Sequence, residues 1–173
     1  IDSHANFYKN LPSRPDLVFC VFGKLNEQVS AEQNWSLAHE MLNVNYSGAV
    51  SILHHVANDF EQRKAGAIVG ISSVAGERGR ASNYYYGSAK AGFTAFLSGL
   101  RNRLSKSNVH VLTVKPGYVQ TAMTEGMDLP GPLTAQPAEV ANAIYQAVQK
   151  KKNVLYVKPI WRWIMWIIRN VPE

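Results

Sequence analysis

The sequence predicts an α/β fold in which a doubly wound parallel sheet carries helices on both of its faces. Two observations predict it: four short apolar runs, and the longer segments of helical periodicity that separate them. The runs are continuous rather than alternating, which is typical of strands buried on both faces. Because 173 residues is the size of one domain, we expect a single domain over 1–173.

The four apolar runs are the predicted strands. They span 16–22 (DLVFCVF), 66–72 (GAIVGIS), 109–114 (VHVLTV) and 154–157 (VLYV). Parallel strands present their carboxyl ends at one edge of the sheet, where such folds bind ligands. Gly23, Ser73 and the Pro116-Gly117 pair follow three of these ends, so we expect them to line one crevice.

Three longer segments have the spacing of helices. The first spans about 31–63 with a break near Asn45, and the second spans 84–106. The third begins near Pro137, a residue type that suits the first turn of a helix. Helices between successive strands are the connections that a parallel sheet requires.

Composition limits the kinds of partner. The formal charge of +6 is spread along the chain, without the dense basic stripe of a nucleic-acid-binding protein, so we expect no nucleic-acid partner. Cys20 is the only cysteine, which excludes an internal disulfide and fits a buried thiol in the cytoplasm. His54 and His55 are adjacent and point apart on a helix, so no metal site is predicted.

Tyr86 and Lys90 stand four residues apart in the second predicted helix, so they lie on one face of it. A free tyrosine titrates near ~10, and a neighbouring cation favours its ionised form. The alternative is a surface pair on an amphipathic helix. Ser73, at a strand end 13 residues before Tyr86, favours a functional pair, although a serine there also suits a turn. Tyr84 and Tyr85 face elsewhere and fit packing or a substrate wall.

Four motifs, in this order and spacing, resemble the classical short-chain dehydrogenase/reductase family. They are NVNYSG (43–48), ISSVAG (71–76), YYGSAK (85–90) and VKPGYVQT (114–121). The resemblance implies a Rossmann-type domain that interconverts a ketone and a secondary alcohol by hydride transfer. It also implies NADP or NAD as cofactor, with NADP slightly preferred.

The resemblance assigns a role to each matching residue. Tyr86 becomes the catalytic acid and base, and Ser73 the hydroxyl that polarises the carbonyl. Lys90 holds the nicotinamide ribose together with Tyr86, and lowers the pKa of that tyrosine. Asn45 fixes a water that joins Lys90 to solvent, unless it only bonds a nearby carbonyl or Asn43 takes its place. The residues expected to contact the cofactor are Gly23, Tyr86, Lys90, Pro116, Gly117, Val119 and Thr121.

The sequence departs from the family in two places. CVFG (20–23) stands where most members carry Asn-Asn-Ala-Gly, although glycine still permits a close approach of the backbone. The family's glycine-rich phosphate loop does not precede Gly23. We therefore expect the first strands of the family's sheet to be missing from this sequence, and an apolar sheet edge to be exposed.

Two other functions remain open. An epimerase or dehydratase of the extended branch uses the same Tyr-x-x-x-Lys, but it needs a longer carboxyl-terminal domain than the 52 residues after Thr121. A non-catalytic regulator that binds nicotinamide nucleotides is the other. The family resemblance further implies a homodimer or homotetramer through helices 33–61 and 84–106. Phe93 and Phe96 fit either that contact or the core.

The apolar tail, 159–173, predicts a further helix that is too short to span a bilayer, which needs ~20 residues. Because three lysines at 150–152 precede it, it could lie at a membrane surface; otherwise it docks on this or a second subunit. With VFG (21–23) it resembles a subgroup near the bacterial decaprenylphosphoryl keto-pentose reductases, which act on a lipid-linked sugar. The expected substrate is thus a small-molecule or lipid-linked carbonyl compound or alcohol.

Overall fold

A computed structural model describes residues 1–172. Its elements in chain order are α1 (His4–Lys9), β1 (Leu17–Cys20), α2 (Gln28–Gln33), α3 (Trp35–Leu42), a π-helical turn (Asn43–Gly48), α4 (Ala49–Arg63), β2 (Gly66–Ile71), α5 (Tyr84–Leu104), β3 (Val109–Lys115), β4 (Tyr118–Val119), β5 (Thr134–Ala135), α6 (Pro137–Gln149), β6 (Val154–Tyr156) and α7 (Ile160–Asn170). Short 3-10 turns occupy Val74–Gly76, Ser105–Ser107, Ala122–Thr124 and Gly131–Leu133.

The main sheet has four parallel strands in the order β1-β2-β3-β6, so all four predicted strands are confirmed. Its registers place Phe19 beside Val69 and Val69 beside Leu112. A separate parallel pair, β4 and β5, was not predicted, because two residues are too few to form a recognisable apolar run.

Helices cover both faces of the sheet, as predicted. On one face α4 and α5 bury a core that includes Leu53, Phe60, Leu97 and Val111. On the other face, Ile144 and Ala147 of α6 pack against strand side chains that point away from the first core. These side chains include Val69, Leu112 and Val114. Phe93 is fully buried in the first core and Phe96 packs against it, so core packing accounts for both rings.

The segment predicted as helical over 31–63, with one break near Asn45, is interrupted twice. Asn34 ends α2 and caps α3, since its side chain accepts a hydrogen bond from the Ser36 amide (3.0 Å). The π-helical turn then separates α3 from α4 at the predicted break. α1 was not predicted, because six residues are too short for a periodic signal. It is held on α4 through Tyr8, whose hydroxyl donates to Asp59 (2.9 Å).

Among residues 1–172, β1 forms one edge of the main sheet. Leu17 and Phe19 in this strand remain 40% and 48% exposed, and Val21 and Phe22 just after it are also exposed. The apolar edge expected from the sequence is therefore present.

Candidate active site

Ser73 and Tyr86 meet at the carboxyl end of β2. Ser73 follows that strand and begins the turn Val74–Gly76, where its Oγ accepts a hydrogen bond from the Ala75 amide (3.1 Å). Tyr86 lies in the first turn of α5, and its hydroxyl is near enough to the Ser73 side chain for that side chain to affect the pKa of the phenol. The structure thus joins the two residues that the sequence placed 13 positions apart.

Two glycines allow this meeting. A Cβ atom on Gly76 would lie 2.6 Å from the backbone nitrogen of Ala91, and one on Gly87 would lie 2.9 Å from the carbonyl oxygen of Ala75. Both distances are shorter than side-chain atoms tolerate, and both involve backbone atoms that cannot rotate away. The loop after Ser73 can therefore rest directly on the backbone of α5 only because both positions are glycine.

Burial dominates the protonation of Tyr86. The ring packs against Ala31, Ala38 and Met41, and this burial raises the pKa of the phenol above its usual value, although the hydrogen bond from Ser73 acts in the opposite direction. Sequence reasoning expected the neighbouring lysine to lower this pKa. In the protein alone, desolvation outweighs any such effect, so Tyr86 is a protonated phenol at neutral pH.

Lys90 lies beside the Tyr86 ring, with its ammonium nitrogen 5.7 Å from the ring centroid. The side chain is buried, and its Nζ donates to the Ile71 carbonyl (3.0 Å). Desolvation lowers the pKa of Lys90 to about 8. Cys20 lies close enough to oppose that shift, and it is the buried thiol that the sequence predicted, with a pKa raised by burial to about 11.

Asn45 is buried in the π-helical turn and connects it to the segment after β1. Its Nδ2 donates to the carbonyls of Met41 (2.8 Å) and Lys24 (2.6 Å), and its Oδ1 accepts from the Lys24 amide (3.2 Å). The bond to Met41 is the local carbonyl bond considered from the sequence. Asn43 is instead only partly buried and contacts His39, whereas Asn45 is the asparagine that borders the crevice.

Gly23 completes the crevice. A Cβ at this position would lie 2.9 Å from Asn45 Oδ1, 3.5 Å from Lys90 Nζ and 3.8 Å from Met123 Cε. Its lack of a side chain leaves a cradle at the end of β1, bordered by a cation and an amide oxygen. A group with ribose-like hydroxyls suits these donors and acceptors, so the residues present fit the sugar of a nicotinamide nucleotide.

The turn after β3 approaches the crevice from the other side. The Pro116 carbonyl accepts a hydrogen bond from the Val74 amide (3.0 Å), which ties this turn to the Ser73 loop. Val119 belongs to β4, and Thr121 caps the turn Ala122–Thr124 through a reciprocal pair of bonds with Thr124. Met123 in that turn reaches the Gly23 cradle, so the segment after β4 borders the crevice at this point.

Gly117 has a second neighbour that the sequence did not indicate. A Cβ there would lie 2.0 Å from Cε2 of Trp161, so the indole of α7 occupies that space. The Trp161 Nε1 atom also donates to the Leu133 carbonyl (3.1 Å). The tail helix is therefore packed onto the predicted cofactor turn.

Glu77 is a buried carboxylate that sequence reasoning missed. Its oxygens accept hydrogen bonds from Lys115, from Tyr156 Oη (2.7 Å) and from Arg169 Nη1 (3.4 Å). Burial alone would raise the pKa of Glu77, but the bonds from Lys115 and Tyr156 keep it below the usual value. No local pattern reveals such a residue, because its partners come from β3, β6 and α7.

A cleft of about 700 Å³ opens beside this region. It is lined by residues of 120–136, including Thr121, Thr124, Met127, Leu129 and Gln136. Ser73 and Tyr86 do not line it, so it adjoins the crevice on the side of the cofactor turn. Met127, one of the two methionines in this loop, faces this cleft, whereas Met123 contacts the cradle.

These features define a class: a Rossmann-type α/β domain with a Ser-Tyr-Lys group at the carboxyl ends of its strands. A family model for short chain dehydrogenases matches residues 16–129, about two thirds of the chain. The protein belongs to the short chain dehydrogenase family, which is a family of oxidoreductases.

Three similar proteins illustrate the relationship. Over 148 residues the chain is 40% identical to an uncharacterized oxidoreductase of Mycobacterium tuberculosis (strain H37Rv), covering 86% of this chain and 56% of that protein. It is 36% identical over 114 residues to the acetoacetyl-CoA reductase of Allochromatium vinosum, covering 60% of this chain and 46% of that protein. A short chain dehydrogenase from Burkholderia cenocepacia J2315 in complex with NADP has the same fold, with a TM-score of 0.84 at 19% identity over 98% of this chain and 72% of that one. The chain spans about half the length of these two curated relatives.

Proposed function

We propose that these residues form the catalytic part of an NAD(P)(H)-dependent oxidoreductase that interconverts a ketone and a secondary alcohol. The observation that carries the proposal is the grouping of Tyr86 with Ser73 and the buried Lys90 at the carboxyl end of β2. A related acetoacetyl-CoA reductase bears a name that describes the reduction of a ketone, which supports this reaction class.

In the reducing direction, Tyr86 donates its proton to the carbonyl oxygen of the substrate. Burial keeps the phenol protonated until the oxygen acquires negative charge, which suits a general acid. The Oγ atom of Ser73 accepts a bond from the Ala75 amide, and its hydroxyl proton would turn from Tyr86 to the same oxygen when a substrate is bound. In the oxidising direction Tyr86 receives the alcohol proton instead.

Lys90 and Tyr86 would hold the ribose of the cofactor at the Gly23 cradle. Pro116, Gly117, Val119 and Thr121 would contact its carboxamide end, and the nicotinamide, when bound, would supply or accept the hydride. We expect NADP to be slightly preferred over NAD, which the NADP complex of the Burkholderia cenocepacia neighbour supports. Comparing kcat/KM with NADPH and NADH tests this preference.

We also propose that the enzyme is a homodimer or homotetramer of the cytoplasm, with the helices of 33–61 (α3 and α4) and 84–106 (α5) in the subunit contact. The non-catalytic nucleotide-binding regulator is less well supported, because a serine, a tyrosine and a lysine suited to hydride chemistry lie together. The extended-branch epimerase or dehydratase shares Tyr86 and Lys90 and is the second candidate. A location at the membrane surface requires a lipid-binding segment, and α7 has the composition for one.

The test compares Tyr86→Phe with Tyr85→Phe in the full-length protein. The neighbouring tyrosine is a matched control, since it precedes Tyr86 by one residue and packs against the same cluster. We expect Tyr86→Phe to lower the turnover of acetoacetyl-CoA or a related ketone about 10²- to 10⁴-fold, the usual contribution of a general acid, with NADPH binding retained. Equal rates for the two variants would refute the assignment of Tyr86.

A further inference from the structure

α7 has two apolar faces, and only one of them is used in the fold. Trp161 and Met165 point inward and are buried against Val74 and its neighbours. Trp163 and Trp166 lie on the opposite face and are 67% and 62% exposed. Ile160 and Ile167 extend the same exposed strip, so we call these four residues the outer face of α7. Large exposed apolar strips of this kind mark binding surfaces.

Contacts at both ends fix which face points outward. The Trp161 indole fills the space at Gly117 near the start of α7, and Arg169 bonds Glu77 near its end. Arg78 donates to the carbonyls of Ile168 and Val171, which caps the last turn. Rotating the helix to bury its outer face would break all of these contacts. These contacts therefore hold the outer face away from the rest of the described residues.

The charge around α7 is positive. From 153 to 172 the sequence has three lysine or arginine residues and no aspartate or glutamate. Arg162 is exposed on the helix, and Lys158 lies just before it. The acidic group that contacts α7, Glu77, is buried and already paired with Lys115 and Arg169. The three lysines at 150–152, which the sequence suggested as part of this surface, precede the amino end of β6 and so lie at the other end of that strand.

We propose that the outer face of α7 binds the surface of an anionic phospholipid bilayer. Tryptophan suits the boundary between headgroups and acyl chains, because its ring is largely apolar and its N–H is polar. Arg162 then meets lipid phosphates, and basic residues near an anionic surface strengthen such binding. No helix within residues 1–172 is long and apolar enough to cross a membrane, so α7 lies along the surface.

A second copy of this chain is the other occupant to consider. A two-fold contact between two outer faces would place the same basic rim, Arg162 included, against its own copy. Like charges would then be brought together, whereas an anionic bilayer complements them. The charge thus favours lipid, and the oligomeric state of the variants tests the alternative.

The experiment is flotation of the full-length protein with vesicles of phosphatidylcholine and phosphatidylglycerol in equal amounts. We expect Trp163→Ala/Trp166→Ala to lower binding about tenfold or more, since two large rings leave the interface. Trp35→Ala is the matched control, because Trp35 is 63% exposed in α3, far from this face in sequence; we expect it to change binding less than about twofold. Arg162→Gln is expected to weaken binding about fivefold, the contribution of one basic residue.

The results are decisive in both directions. Loss of binding in the double variant, with Trp35→Ala unaffected and binding stronger to the anionic vesicles than to phosphatidylcholine alone, supports the proposal. Unchanged flotation of the double variant, or no flotation of the wild-type protein, overturns it. A dimer that dissociates in the double variant without vesicle binding assigns the face to a second copy and also overturns it. If the double variant does not fold, each single substitution is judged by the same criteria.

Discussion

Substituting Gly76 tests how the fold brings Ser73 to Tyr86. In Gly76→Ala the new methyl group would lie 2.6 Å from the Ala91 nitrogen, about 0.8 Å inside ordinary contact at 3.4 Å. Because the atoms it meets are backbone atoms of α5, the loop must move rather than a side chain. Overpacking of this kind costs about 1–3 kcal/mol of the free energy of unfolding. A shift of Ser73 by nearly 1 Å costs on the order of 10²-fold in turnover.

Gly79→Ala is the control for this substitution. Gly79 lies three residues further along the same loop, and a Cβ there meets nothing within 4 Å. The same methyl group is therefore added to the same loop without a clash. Thermal unfolding and ketone reduction with NADPH are measured for both variants. For a protein of 150 to 250 residues, 1 kcal/mol shifts Tm by about 2–4 °C, so we expect Gly76→Ala to melt several degrees lower.

One result would refute this reasoning. If Gly76→Ala matches Gly79→Ala both in Tm and in turnover, the loop can accommodate a methyl group at position 76 despite the short distance to Ala91. The role given to Gly76 in positioning Ser73 would then be wrong. A lower Tm with unchanged turnover would place the strain elsewhere than at Ser73.

Two further predictions concern buried charges. Because the pKa of Lys90 is lowered to about 8 from 10.5, the unfolded chain binds more protons above pH 8, and this residue makes stability rise with pH there. From pH 8 to 9 the free energy of unfolding of the wild type should therefore rise by about 1 kcal/mol relative to that of Lys90→Met, as measured by urea unfolding without cofactor. An unchanged difference between the two proteins would contradict this prediction. Glu77→Gln leaves the lysine paired with it buried and uncompensated, so we expect a loss of about 3–5 kcal/mol in the same assay. Glu40→Gln, at a half-exposed ion pair, should cost much less, and equal losses would show that burial does not matter.

Local spacing made the centre of the site predictable. Tyr86 and Lys90 share a helix, so their separation of four residues sufficed to place them together. Ser73 could be placed because parallel strands end at one edge of the sheet. The fold class followed from continuous apolar runs, each long enough to recognise.

Contacts between distant segments were beyond such reasoning. Glu77 bonds residues 38, 79 and 92 positions away, and nothing near it in the sequence indicates a buried carboxylate. The contact of Trp161 with Gly117 could not be predicted either, because no local pattern shows which side chain occupies the space beside a glycine. The pKa of Tyr86 was expected to fall because its charged neighbour is visible in the sequence, whereas the burial that raises it is not.

The π-helical turn Asn43–Gly48 resets the phase of the helical segment in which it lies. Twelve residues separate Met41 in α3 from Leu53 in α4, and in an unbroken α-helix their side chains would point about 120° apart. One extra residue in the turn takes back about 100° of this, which leaves the two side chains within about 20° of each other. Both helices therefore present one continuous apolar stripe toward α5, although the sequence period slips by a residue between them. Removing a single residue from the turn would rotate one half of that stripe out of the core.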